Sequence, residues 1–237
     1  MTGDVSSPID WIFFDVGNTL LEEGAALEDR DRQLLRLARI FRPGISFEDV
    51  KIAITQAWDR AESDPLEAAM RLLLGPYAEH SVELLSRVKY RSDLERPYRG
   101  AARILQQLGK TYRLGVIANQ QPGLKQRLDC LGLASHLSIC AGSGDIGLWK
   151  PNPEIFRWAL QRAGCAPARA IMIGDRPDKD IEPARRIGLQ TIRVLQGPAR
   201  TQDATGWRQA AVTVGCLSGV LDAVANLAQR SSCGQCS

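Results

Sequence analysis

The alternation of apolar and polar positions changes rhythm along the chain. Trp11 to Phe14 is an unbroken apolar run followed, after Val16, by a Gly-Asn turn, which predicts a short buried strand. From Ala25 to about Tyr90 the apolar residues recur at helical spacing, with Leu27, Leu34, Leu35, Leu37 and Ile40 able to line one helical face. Ser46, with Asp49 three residues on, predicts the cap of a helix starting near Phe47, and Asp64 before Pro65 predicts another. A last helix of this stretch is expected over about Ser81 to Tyr90.

After Pro97 the rhythm alternates. A helix is predicted from Tyr98 to Leu108, a strand from Leu114 to Ala118, a helix from Leu124 to Leu131 and a strand from Leu137 to Ala141. Then come a helix over Glu154 to Ala163, a strand over Ala170 to Ile173, a helix over Asp178 to Ile187, strands at Thr191 to Val194 and Val212 to Val214, and a closing helix. Strands separated by helices of this length predict an α/β fold, a Rossmann-like, doubly wound parallel sheet with right-handed crossovers. The helix-only stretch is then an insertion after the first strand. The expected organisation is a discontinuous core over residues 1–22 and 96–230, a helical insertion over 23–95 and a disordered tail over 231–237.

Ligands of such sheets bind beyond the carboxyl ends of the strands, so the residues just past each strand matter most. Asp15 follows the first strand, and a carboxylate there is costly unless paired or metal-bound. Asn119 follows the second. Lys150, in GLWKPNPEIF, offers a fixed positive charge, or is a solvated loop lysine. In GDRPDKD, Asp175 and Asp180 flank a turn; their oxygens suit a hard cation such as magnesium, with helix capping the other reading of Asp180.

In this order and spacing the segments resemble the haloacid dehalogenase-like (HAD) superfamily, subfamily I with a helical cap. Its pattern is D-x-D-x-T, a strand ending in Thr or Ser, a Lys, and G-D-x(4)-D. The resemblance implies that Asp15 is the nucleophile of a magnesium-dependent phosphatase acting through an aspartyl-phosphate. It implies that Mg2+ is held by Asp15, Asp175 and the carbonyl of Gly17 with Asp180 in support, and that Lys150, Asn119 and Thr19 bind the phosphoryl group. The expected substrate is a small phosphorylated or other anionic metabolite.

Two positions depart from that pattern. Gly17 stands where the family has its second aspartate, the acid that protonates the leaving group and the base that activates water. Such catalysis contributes about 10²–10⁴-fold. Ala118 stands where a Thr or Ser hydroxyl faces the phosphoryl group, and a hydrogen bond to a charged group is worth roughly 1.5–3 kcal/mol. Slow hydrolysis, or restriction to activated esters, is the expectation. The alternatives are an attenuated binding or regulatory protein on the same fold, dehalogenase-like chemistry, or phosphonoacetaldehyde hydrolase-like chemistry, the last needing a cap lysine such as Lys51 or Lys89. Leu21 to Leu27, Trp58, Arg60, Arg71 and Trp149 are candidates for meeting a substrate.

Composition adds exclusions. Thirty basic against 27 acidic residues among 237 give a net charge of +3 without dense blocks, so neither a nucleic-acid nor a membrane partner is expected. The first ten residues lack the pattern of a signal peptide, which predicts a cytoplasmic protein; a monomer or a homodimer is expected. The six cysteines are expected reduced. Cys130, Cys140, Cys165 and Cys216 are expected in the core, and Cys233 and Cys236 in the tail. His80 and His136 are the only histidines, too few for a histidine metal cluster.

Overall fold

The computed structural model describes residues 9–60, 62 and 64–233, and side chains as far as residue 229. The chain divides into two compact units. Among the described residues, the first takes 9–21, Pro97–Gln196 and 204–233; the second takes those of Glu22–Arg96 and Gly197–Asp203. Two-residue strands β2 (Leu21–Glu22) and β3 (Arg96–Pro97) lie at the crossing points.

The first unit is built on six parallel strands: β1 (Trp11–Phe14), β4 (Arg113–Ala118), β5 (Ile139–Gly142), β6 (Ala170–Gly174), β7 (Gln190–Val194) and β8 (Val212–Val214). Their order in the sheet is β5-β4-β1-β6-β7-β8. The chain moves from β1 outward to β4 and β5, then returns to the other side of β1 for β6. The order therefore reverses at β1, which is where a doubly wound sheet opens a crevice at its carboxyl edge.

All four residues of β1 are buried because both faces of the sheet are covered. Ile12 and Phe14 join Val116, Ile171 and Ile173 in one cluster with Leu105, Leu128 and Val224, from α5 (Ala101–Leu108), α6 (Leu124–Cys130) and α10 (Val220–Cys233). Trp11 and Phe13 join Ile117 and Met172 in the other, with Phe156 from α8 (Pro153–Ala163) and Ala184 from α9 (Glu182–Arg186). The two-residue period of a strand thus feeds two cores at once. Gly115 is opposite Phe13 in register, and a Cβ there would come within 2.9 Å of the Phe13 ring.

The second unit packs α1 (Gly24–Ala38), α2 (Phe47–Asp59), α3 (Pro65–Leu74) and α4 (Ser81–Leu85) around Leu34, Val50, Ile54, Met70, Leu74 and Leu84. Ser46 and Asp49 form a reciprocal capping box on α2. Asp64 accepts from the amides of Leu66 and Glu67 with Pro65 in the first turn. Gly197–Asp203, assigned to the sheet unit from sequence, groups here, where the Thr201 hydroxyl bonds Asp59 at 3.0 Å.

Local expectations shift where a long-range hydrogen bond outcompetes propensity. The helix expected from Tyr98 starts at Ala101, because the Tyr98 amide is held by the carbonyl of Leu20 at 2.9 Å. The one expected to reach Tyr90 stops at Leu85: the Gln33 amide captures the Lys89 main chain, Nε2 on its carbonyl at 2.8 Å and Oε1 on its N–H at 2.9 Å. α10 continues to Cys233, past the expected start of the tail, while Cys236 lies outside the described residues. Of the four cysteines expected in the core, Cys140 and Cys165 pack against the edges of the two sheet cores and Cys130 and Cys216 do not reach it. Cys130 and Cys216 are exposed, and Cys140 and Cys165 half-buried. Cys130 falls two residues beyond buried Leu128, on the opposite side of α6. No helix among the described residues is long and apolar enough to cross a membrane.

Candidate active site

Asp15 continues β1 past the carboxyl edge of the sheet, its N–H still bonded to the carbonyl of Ile173 at 2.8 Å. A tight turn follows. The Val16 carbonyl accepts from the amides of Thr19, Leu20 and Leu21, and Asn18 takes φ 52°, a left-handed conformation that asparagine tolerates better than most side chains. The turn brings the fully buried Thr19 back on itself, its hydroxyl 3.4 Å from Asp15 Oδ2.

Lys150 arrives from the loop between α7 (Ser143–Ile146) and α8. Its side chain is 3% exposed, and its Nζ donates to Asp15 Oδ1 and Asp180 Oδ1, both at 2.5 Å. Burial works to lower the pKa of this ammonium; the charges of Asp15 and Asp180 and their hydrogen bonds outweigh it and hold Lys150 above the usual lysine range.

Asp175 and Asp180 come from the segment after β6. Arg176 and Asp178, both largely buried, pair through two hydrogen bonds between guanidinium and carboxylate, and a π-type turn over Pro177–Ile181 replaces the first part of the expected helix. Asp180 turns back over Gly174, where a Cβ would lie 2.3 Å from its Oδ2, and that oxygen accepts from the N–H of Arg176 at 3.0 Å. Only glycine fits at position 174. Asp15, Asp175 and Asp180 each bring an oxygen within 4.8 Å of the others, all three side chains buried. Three buried carboxylates come together here, two of them on the Lys150 ammonium. Burial is the main reason that Asp180 is pushed up to about 6, with Asp15 adding to the rise and Lys150 opposing it. An all-oxygen set of this charge fits a hard divalent cation.

Asn119, just past β4, does not face this cluster with its polar atoms. Its Nδ2 donates to the Lys150 carbonyl and its Oδ1 accepts from the Lys150 N–H, both at 2.8 Å. Two residues not singled out from sequence brace the same region. Ser143 Oγ bonds the N–H of Gln120 at 2.9 Å and its carbonyl at 3.1 Å. Asp145 accepts from the amides of Gly123 and Leu124 at 2.7 and 3.2 Å. Ser143 immediately follows β5, so the strand-end rule alone would have found it. Trp149 is 55% exposed beside Lys150. In the helical unit, Arg60 and Arg71 line a shallow 390 Å³ pocket with Ala57 and Leu72, while Lys51 is exposed and lies over the Phe47 ring.

Lys150→Met leaves Asp15 and Asp180 buried without their cation, which is expected to cost about 3–5 kcal/mol in EDTA. Burial already pushes Asp180 up against the lowering effect of Lys150; with the lysine gone its folded-state pKa stays above the unfolded one, so the folded state is favoured at low pH and loses that support as pH rises through the folded pKa. The deficit should therefore be full above about pH 7 and shrink toward pH 5, as read from urea midpoints across that range. A deficit independent of pH would mean that lost packing, not charge, is responsible.

A family model described as haloacid dehalogenase-like hydrolase matches residues 9–188 of the chain. The chain is 27% identical over 227 residues to a glyceraldehyde 3-phosphate phosphatase of Methanocaldococcus jannaschii, spanning 92% of this chain and 98% of that protein. It is 41% identical over 85 residues to a phosphoserine phosphatase of Thermus thermophilus, a match spanning 35% of this chain and 34% of that protein. Among solved structures, a haloacid dehalogenase-like family protein of Streptococcus pneumoniae superposes with a TM-score of 0.67 at 19% identity, covering 92% of this chain and 99% of that one, a likeness of fold.

Proposed function

Because the chain belongs to the haloacid dehalogenase-like hydrolase family, we propose that it is a magnesium-dependent phosphatase of small phosphorylated metabolites, selective for esters with a good leaving group. The observation that carries this reading is the buried convergence of Asp15, Asp175 and Asp180, with the Nζ of Lys150 on Asp15 and Asp180. Relatives named as phosphatases supply the substrate class.

In this reading an oxygen of Asp15 attacks phosphorus and the P–O bond to the leaving group breaks, giving an aspartyl-phosphate. Water then cleaves it, releasing inorganic phosphate and restoring the carboxylate. Lys150 orients Asp15 and balances charge on the phosphoryl oxygens, while Thr19 holds the other carboxylate oxygen. Asp15, Asp175 and the carbonyl of Gly17 would hold the magnesium ion, with Asp180 in support, and the ion supplies neutralisation of the phosphate's charge. Gly17 offers no proton donor, so the leaving group departs as an anion or takes its proton from water. Acyl and aryl phosphates meet that demand; alkyl phosphates do not. The three-carboxylate cluster favours this chemistry over displacement of halide, which has no use for a cation.

Phosphate release from acetyl phosphate, p-nitrophenyl phosphate and glycerol phosphate, each with magnesium or EDTA, tests the proposal. The expected result is magnesium-dependent release, with the alkyl ester about 10²-fold or more behind the acyl phosphate. Absence of release from all three, or release that EDTA leaves untouched, would sink it.

A further inference from the structure

We propose that Asn119 is a positioning residue that acts through Lys150: its side-chain amide fixes the main chain of the lysine loop and thereby holds Nζ between Asp15 and Asp180. Its effect on turnover rests on the reading of Asp15 and Lys150 as reacting groups. The positioning itself does not.

Asn119 and Lys150 are 31 residues apart in the chain, and the two hydrogen bonds between them run in opposite senses, N–H to O and O to N–H. A reciprocal pair of this kind fixes both the distance and the rotation of the peptide groups on either side of Lys150, which a single bond would leave free to pivot. One end of the pair is rigid. Asn119 extends β4, hydrogen-bonded to β1 along the middle of the sheet. The other end is a loop with exposed residues on both sides of the lysine, Trp149 before it and Pro151 and Asn152 after it.

The bonds from Ser143 and Asp145 tie α7 to the segment after β4, but the nearer of them stops five residues short of Lys150. Asn119 makes the tie at the lysine itself. Nζ lies 2.5 Å from each of two carboxylate oxygens, so a main-chain shift of about 1 Å would stretch the contacts toward the limit of a hydrogen bond and weaken both. Preorganising a charged group through a neighbour on a rigid strand is how an active site keeps such a contact without adding another charge.

Competitive acylation of lysines with acetic anhydride reads the positioning without any need for catalysis. In wild type the buried, doubly paired Lys150 should label far more slowly than exposed Lys51, which serves as the internal reference. Asn119→Ala is expected to raise the Lys150-to-Lys51 labelling ratio about tenfold, measured by mass spectrometry of the peptides. Asp180→Asn, which removes one of the lysine's two charged partners, is the positive control. If Asp180→Asn raises the ratio and Asn119→Ala leaves it at the wild-type value, the inference is wrong. Should Asn119→Ala not fold, Asn119→Asp carries the same comparison, since it keeps the acceptor for the Lys150 N–H and replaces only the donor.

Turnover of acetyl phosphate gives the second reading. Asn119→Ala should lower kcat about tenfold with KM within about twofold, and should have no further effect in a Lys150→Met background. A loss carried by KM and additive with Lys150→Met would mean that Asn119 touches the phosphate directly, which also overturns the inference. If wild type releases no phosphate at all, the functional proposal fails and the labelling ratio alone decides the role of Asn119.

Discussion

Asp15→Asn is expected to lower magnesium-dependent phosphate release by about 10⁴-fold or more while leaving the protein folded and no more than about 1 kcal/mol less stable. The substitution keeps the shape of the side chain and an oxygen for the Lys150 ammonium to donate to, but replaces an anionic nucleophile with a neutral amide. Stability follows from the charge balance. Asp15 is one of two carboxylates that share the Lys150 ammonium, and it helps to push Asp180 up. Removing its charge relieves repulsion as well as weakening one ion pair, so the two effects offset. Activity by phosphate release and stability by urea denaturation, both in EDTA and in magnesium, check the pair of outcomes. A variant that is both unfolded and inactive says nothing about a nucleophile; a folded variant with wild-type rates removes Asp15 from the mechanism.

Gly17→Asp should act in the opposite direction, raising turnover of alkyl phosphates by about 10²–10⁴-fold, on the order of 3–5 kcal/mol of barrier, with little change on acetyl phosphate. Gly17 is two residues beyond Asp15 in the turn whose amides gather on the Val16 carbonyl, and it is partly open to solvent. It is not among the glycines with positive φ, so an aspartate there meets no left-handed strain. The added carboxyl supplies the proton that an alkoxide leaving group needs and an acyl phosphate does not. A gain confined to alkyl esters identifies the missing acid as the limiting defect. An equal gain on both substrates points to binding, and no gain on either means that the hydroxyl absent at Ala118 limits the rate instead.

Much of the fold was legible because its determinants are local. The aromatic and β-branched run at Trp11 to Phe14, closed by a Gly-Asn turn, reads as a buried strand, the Ser46–Asp49 and Asp64–Pro65 pairs announce helix starts, and the alternation after Pro97 points to a parallel sheet. The spacing of the acidic residues and the lysine pointed to strand ends, and Asp15, Lys150, Asp175 and Asp180 do meet. What the sequence left open are interactions made across the chain. Nothing in ANQ tells that the Asn119 amide turns to a lysine 31 residues away, nor that Gln33 ends a helix by gripping Lys89. Cys130 misleads for a different reason: an apolar neighbourhood in sequence says little about which side of a short helix a residue falls on.

The central position of β1 has a consequence for how the protein is made. Trp11 to Phe14 pairs with β4 on one side and with β6 on the other, and Ala170 of β6 emerges about 160 residues after Trp11. At roughly 5–20 residues per second of synthesis, the run WIFF waits on the order of 8–30 seconds for its second neighbour. Throughout that interval its unpaired edge and large apolar side chains are available to other chains. Yield in a host cell should therefore depend on chaperone capacity and on growth temperature more steeply than the stability of the finished molecule would suggest.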